Sequence, residues 1–304
     1  YQMKKIKFNW KTYEINEETN TAEVYESICA FSIPRSIIFD SKEYLVNGFK
    51  EGSFYCFEHD INEIEFDDDI MVSSFNKNIF RNSDILQYLS IPPYVNTLED
   101  GWCKGLKNMK NISISPKNSN FLCINDNMIV GKSDQNKEIY DVLIIVPRDI
   151  KNISIPSFIK HISSYCFSDC NNLNEIQFSE NSELQSLGKN VFSHSSIQYL
   201  SLPSNFKQFK DGWCKYAKNL YVVSVSPKNK NFKSINDNKV IVGKSNECSD
   251  EFDVLLFVSR EIQNVKIPSY VKHISSYSFS HCLNLESIEF EENSKIEIFK
   301  QDAF

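Results

Sequence analysis

The stretch IPSFIKHISSYCFSDCNNLNEIQF (155–178) returns as IPSYVKHISSYSFSHCLNLESIEF (267–290), 112 residues later. Across the first thirteen residues only Phe158/Tyr270, Ile159/Val271 and Cys166/Ser278 differ. Such a repeat constrains the fold more than any other feature, because copies of one supersecondary unit bury their apolar sides by stacking on their neighbours. The correspondence runs far outside this stretch. GSFYCFEHDINEIEF (52–66) answers SYCFSDCNNLNEIQF, and DGWCKGLKNMKNISISPKNSNF (100–121) answers DGWCKYAKNLYVVSVSPKNKNF (211–232). YDVLIIVPRDIKNISIP (140–156) answers FDVLLFVSREIQNVKIP (252–268), so a long repeat of about 112 residues is present roughly two and a half times.

Each long repeat subdivides, at 155–181, 182–204, 205–230 and 231–266 in the second copy. The first three have the ~20–29 residues of a leucine-rich-repeat unit. One apolar pattern unites the units: L-x-x-I-x-I, a polar turn, I-x-x-I and an aromatic. The alternation in I-x-I sets those side chains on one face of a short strand. Pro92, Pro156, Pro203 and Pro268 follow it and end the strand, since proline has no N–H to give a ladder. Phe167, Phe192 and Phe279 are the expected core plugs between layers. The fourth unit is longer because it holds an inserted β-hairpin, near 127–146 in one copy and 238–258 in the other. The expected fold is a leucine-rich-repeat solenoid, mainly β, with parallel strands stacked along the axis and short helical turns on the other side.

Residues 1–46 read differently. IKFNW, KTYEI and TAEVYE alternate apolar and polar residues, the pattern of a small meander, and SIIFDSKEYLV forms a second hairpin turning at Asp40-Ser41-Lys42. A repeat array needs its first core layer covered, so this segment is expected to be an N-terminal β-hairpin cap, merging into the first repeat from about residue 33, with the array over 47–304. The final FKQDAF breaks off within a repeat, and the chain is expected to be truncated there.

Composition excludes several function classes. Net charge is −7 with pI about 5.4, against the clustered Lys and Arg of a nucleic-acid binder. No apolar run approaches the length of a spanning helix, so no membrane insertion is expected within this chain. No charged-then-apolar leader follows Tyr1. The nine cysteines include no CxxC pair, and Cys103/Cys214, Cys56/Cys166 and Cys170/Cys282 hold equivalent repeat positions. With Ser278 standing in for Cys166, these read as small buried fillers, so the structural core rather than disulfides is expected to account for most cysteines.

The unit IP-x-x-I-x-x-I-x-x-x-x-F-x-x-C-x-x-L-x-x-I-x-F resembles the BspA-like leucine-rich-repeat family, surface-antigen-like proteins of anaerobic protists and host-associated bacteria. The GWC units and the FDVLLFVSR-type inserts are similar to its protist branch. The resemblance covers about residues 30–304. It implies adhesion or protein–protein contact at the cell surface or in a secreted protein, with no cofactor and no catalysis. It supplies no functional residues.

The residues themselves offer little chemistry. His161 and His273 share one repeat position, which points to an architectural role. His281-Cys282, or Cys170 near His161, read as turn residues beside buried thiols rather than catalytic pairs, and no phosphate loop or zinc-ligand cluster occurs. Asp67-Asp68-Asp69 and Glu289, Glu291, Glu292 lack calcium-loop spacing and read as solvated turns. The sequons at Asn111 and Asn152 lie in predicted strands. What remains is a surface. The x positions of L-x-x-I-x-I form polar rows in which Tyr88, Tyr199, Tyr221 and Val222 are the exposed apolar members, the composition of a partner site. The candidate partner face comprises Gln87, Tyr88, Glu175, Gln177, Gln198, Tyr199, Tyr221, Val222, Glu286 and Glu289. The expected function is a non-catalytic protein–protein interaction module of adhesion type. An intracellular scaffold in a cytoplasmic or cytoskeletal assembly is the alternative, favoured by core thiols and the missing leader.

Overall fold

A computed structural model describes residues 3–9, 11–27, 32–54, 62–125, 127–246 and 248–304. Cys29, Cys56 and His59 lie outside the described residues, as does most of 52–66 up to Ile61. The chain forms two compact units, Tyr1–Arg148 and Asp149–Phe304. Each is built from short parallel strands wound as leucine-rich-repeat solenoid coils.

The first unit opens with a five-stranded sheet in the order Met3–Phe8, Lys11–Asn16, Thr21–Ser27, Lys42–Phe49, Ser36–Phe39. The hairpin at Asp40-Ser41 has positive φ at both residues (50° and 61°), the type I′ geometry that matches strand twist. The two predicted hairpins become one sheet because Thr21–Ser27 pairs in parallel with Lys42–Phe49. Ser32–Ile33 then pairs with Glu63–Phe66 and begins a four-stranded parallel sheet continued by Tyr88–Ile91 and Asn111–Ile114. Phe121–Ile124, Met128–Gly131 and Val142–Ile145 close the unit as an antiparallel meander.

The second unit repeats the plan. Asn152–Ile155, Glu175–Phe178, Tyr199–Leu202 and Val222–Val225 form a four-stranded parallel front sheet. Each I-x-I strand followed by proline ends where the sequence requires, at Ile91, Ile155, Leu202 and Ile267. A second parallel ladder of two-residue strands, His161–Ile162, Ser186–Leu187 and Gln208–Phe209, runs alongside. Phe232–Ile235, Val240–Gly243 and Val254–Val258 form the antiparallel insert, and Asn264–Ile267 pairs with Ser287–Phe290 beyond it. Phe167, Phe192 and Phe279 are buried as expected, with the rings of Phe167 and Phe192 stacked 5.8 Å apart.

The expected helical turns are replaced. Among the described residues no helix occurs, and the sides opposite the strands are tight turns. Each begins and ends on a left-handed residue four positions apart: Asn78/Asn82, Gly101/Gly105, Tyr165/Asp169, Asn190/His194, Gly212/Tyr216 and Tyr277/His281. Between them runs a single i→i+3 bond, such as Ser193 N to Asn190 O at 3.1 Å. A left-handed residue cannot propagate a right-handed helix, so the turn stops after one bond. Its remaining amides go to the next coil, as in Phe167 N to Val191 O and Asp169 N to Ser193 O.

Candidate interaction face

Parallel pairing turns the x positions into rows. In the second unit Asn152, Glu175, Tyr199 and Val222 are direct partners across four strands. Neighbouring strands lie about 4.8 Å apart, so the four side chains form a continuous line. Tyr199 is 52% exposed at its centre, and Val222 is half-buried beside it. Gln177 sits one row along and accepts from Ser154 Oγ at 3.3 Å. Isoleucine, leucine and valine of the same strands point the other way into the core, which fixes the orientation of the row.

The other predicted face residues fall into distinct settings. Gln198 and Gln87 precede their strands and are half-buried; their carbonyls each accept two amides from the following coil, Tyr221 and Val222 in one case and Lys110 and Asn111 in the other. They are scaffold for the row rather than members of it. Tyr221 is half-buried, its hydroxyl 3.5 Å from Asn219 Oδ1. Tyr88 belongs to the first unit, where it is the direct partner of Glu63 and Asn111. Glu289 faces Lys266 on a two-stranded sheet, and Glu286 precedes that strand. That pair is separate from the four-stranded sheet because the inserted meander intervenes. The predicted face therefore splits into one tight row in the second unit, Tyr88 with its partners in the first and a pair set apart, with Gln87 and Gln198 as scaffold. The sequons add to the same rows: Asn111 and Asn152 are both exposed there.

The adjacent His281 and Cys282 are not arranged as a catalytic pair. Cys282 Sγ donates to the carbonyls of Val258 and Ser259, while His281 Nδ1 contacts Ser280 Oγ, so thiol and imidazole are turned to different partners. Burial pushes the Cys282 thiol up, with Arg260 pulling weakly the other way. Burial likewise raises the Cys214 thiol, the reverse of an activated nucleophile. Cys103, Cys166, Cys170 and Cys214 are buried, whereas Cys123 and Cys248 are exposed. Among the described residues no group of three His, Cys, Asp or Glu is placed to hold a metal, and no helix is long and apolar enough to cross a membrane.

Two supports of the face escaped the sequence reading. The Asn of SPKN is buried at both repeat positions. Asn229 Nδ2 donates to the carbonyls of Pro203 and Phe206, and its Oδ1 accepts from Asn231 and Phe232. Asn118 makes the same four bonds around Pro92 and Val95. The second is the arginine of VPRD and VSRE. Arg148 and Arg260 are 4% and 3% exposed, and both guanidinium groups bond backbone carbonyls, Arg148 Nε to Leu106 O at 3.1 Å. The signal was there, as identical residues at equivalent places in a polar turn.

With rows and coils in view, the sequence pattern of the BspA type leucine rich repeat region matches in six copies, over residues 35–131, 146–240 and 251–304. The chain belongs to the BspA-type leucine-rich-repeat family. Among solved structures it resembles a leucine-rich repeat protein from Eubacterium ventriosum, with TM-score 0.56 and 13% identity over 98% of this chain and 92% of that one. It also resembles a leucine rich cell surface protein from Faecalibacterium prausnitzii, with TM-score 0.50 and 14% identity over 95% of this chain and 71% of that one. At these identities the likeness establishes the BspA-type coil and no more. No curated protein matches the sequence.

Proposed function

We propose that this BspA-type chain is a non-catalytic adhesion module that presents its front strands to a protein partner at the cell surface. The row Asn152–Glu175–Tyr199–Val222 carries the reading: an exposed aromatic held by a parallel ladder, with hydrogen-bonding Glu175 and Asn152 on one side and apolar Val222 on the other. Rigid aromatics amid polar neighbours are the usual anchors of protein interfaces. The surface placement is supported by the family and by the F. prausnitzii protein described as a cell surface protein. The five-stranded sheet serves as the array's cap in this reading, since Phe49 at its end packs on Phe54, Phe66 and Phe75. A second reading, an intracellular scaffold, is favoured by the buried cysteines at repeat positions. The two separate at the sequons, because a glycan at Asn152 would stand beside Glu175 and block the row.

The test is sedimentation of the tagged chain from its native cells. Wild type is expected in a complex heavier than the free 35.3 kDa chain. Tyr199→Ser/Val222→Ser, unchanged in melting temperature, is expected to sediment as free chain. Equal sedimentation of the two proteins would reject the front sheet as the docking surface. Glycan at Asn152 would overturn docking at that row.

A further inference from the structure

The front sheet of the first unit carries a cleft, and that of the second its aromatic row. A cleft of about 400 Å³ is lined there by Glu63, Glu65, Asp68, Tyr88, Asn111 and Ser113. Glu63 and Glu65 are two residues apart on one strand, so their carboxylates project from one face about 6.6 Å apart along it. Pairing places Tyr88 directly beside Glu63 and Asn111 beyond it.

The acids around this cleft divide into two kinds. Asp67 accepts the Arg35 amide at 2.9 Å, and Asp69 takes Lys117 Nζ at 3.0 Å. Both are satisfied within the chain. Glu63, Glu65 and Asp68, the three that line the cleft, have no ion pair or hydrogen bond of their own among the described residues. In the second unit the corresponding Glu175 and Gln177 instead bond each other and Ser154. Lys117, paired with Asp69, also acts electrostatically on Asp68, so among the described residues the cleft carboxylates left without a cation are Glu63 and Glu65, beside a Tyr88 ring that is 38% exposed. A cation seated there gains both from the carboxylates and from the ring face. The carboxylates are not grouped closely enough to hold a metal ion. Their spacing along a strand instead matches cations borne on an extended chain, whose backbone would meet the amide and hydroxyl groups of Asn111 and Ser113.

We propose that the cleft at Glu63, Glu65, Asp68 and Tyr88 binds an extended segment of a partner protein through its lysine or arginine side chains. The assignment deepens the interaction reading above and rests on it. It gives the first unit a charge-selective site, whereas the second unit presents a near-neutral aromatic row.

The experiment is fluorescence polarisation with the full chain and a fluorescein-labelled octapeptide of alternating arginine and serine. A twin peptide with glutamate for arginine and unlabelled spermine serve as controls. The arginine peptide is expected to bind and its twin not to bind. Glu63→Gln/Glu65→Gln is expected to weaken binding roughly fivefold to tenfold, as the loss of two exposed ion pairs gives. Tyr88→Ser is expected to weaken it about threefold, and Glu17→Gln/Glu18→Gln, at an exposed turn away from the cleft, to leave it unchanged. Equal binding by all variants, or spermine displacing the peptide at equal concentration, would overturn the proposal. So would an absence of binding. The native complex separates this result from the wider reading. If Tyr199→Ser/Val222→Ser releases the partner and Glu63→Gln/Glu65→Gln does not, the front-sheet reading stands and the cleft proposal fails.

Discussion

Arg260 Nη1 donates to the Ser278 carbonyl at 2.9 Å, across eighteen residues of chain. The same guanidinium reaches Val258 O, Cys214 O and Tyr277 O and lies 4.9 Å from the Phe257 ring. The inserted meander supplies no back turn of its own, so turns 212–216 and 277–281 meet around Arg260 instead of around a regular coil. Its charge has no carboxylate partner among the described residues and is held by carbonyl dipoles. Arg260→Met is expected to destabilise the chain by about 2–4 kcal/mol, because it strips donors from several buried carbonyls. Arg260→Lys should recover little, since a single ammonium cannot span the fork. Urea denaturation followed by circular dichroism measures both; a loss under about 0.5 kcal/mol for the methionine variant would contradict this role.

The left-handed back turns predict a contrast at one register position. Gly105 has φ +103°, and a Cβ there would meet Phe80 O at 2.3 Å, backbone that cannot move aside. Asn82, four residues after Asn78 as Gly105 is after Gly101, is exposed with φ 61°. Gly105→Ala is expected to cost more than about 2 kcal/mol, and Asn82→Gly to stay within about 0.5 kcal/mol of wild type. Thermal melts of the two variants decide it.

Asp253 gives the acid limb of stability. Its burial pushes the carboxyl pKa up, but bonds from the Ser245 hydroxyl at 2.7 Å and amide at 2.8 Å prevail and leave it lowered. A carboxyl with a lowered folded-state pKa stabilises the fold above its unfolded value, near 3.9, and that contribution is lost as pH falls through the folded value. Asp253→Asn is expected to be less stable than wild type by about 1–2 kcal/mol at pH 7. The gap should narrow below about pH 4. A gap independent of pH, in urea titrations across that range, would remove the charge from the explanation.

The four bonds of Asn229 make it the keystone of the SPKN turn beside the last strand of the four-stranded sheet. Asn229→Ala leaves two carbonyls and two amides without their partner and is expected to cost about 2–3 kcal/mol. Hydrogen exchange should rise first in Val222–Val225 and Phe232–Ile235, the strands either side of the turn.

Much of this fold was legible because repetition samples each structural rule several times. The I-x-I-P strands, the proline stops and the burial of Phe167 and Phe192 follow from a period-two pattern and a missing amide. The back turns were written in the sequence as Asn or Gly at four-residue spacing, Asn78/Asn82 and Gly101/Gly105. Tyr165 and Tyr277 obscure that signal, since tyrosine seldom takes a positive φ and does so here because neighbouring coils hold it. The joining of two hairpins into one sheet was not legible, because parallel pairing of Thr21–Ser27 with Lys42–Phe49 is a long-range choice between equally alternating strands. For the face, periodicity marked which residues point outward, and register decided which stand together. Glu175, Tyr199 and Val222 do, whereas Glu286 and Glu289 are set apart by an insert whose effect on pairing has no local sequence sign.

The most direct test of the central claim is photo-crosslinking in native cells. Benzoylphenylalanine replaces Tyr199 in one protein and Leu122, an equally apolar residue 41% exposed on the first unit's meander, in another. The front-sheet account predicts one discrete adduct from position 199, abolished by Glu175→Lys, and none from position 122. Indistinguishable adducts from the two positions, or an adduct at 199 indifferent to Glu175→Lys, would contradict it.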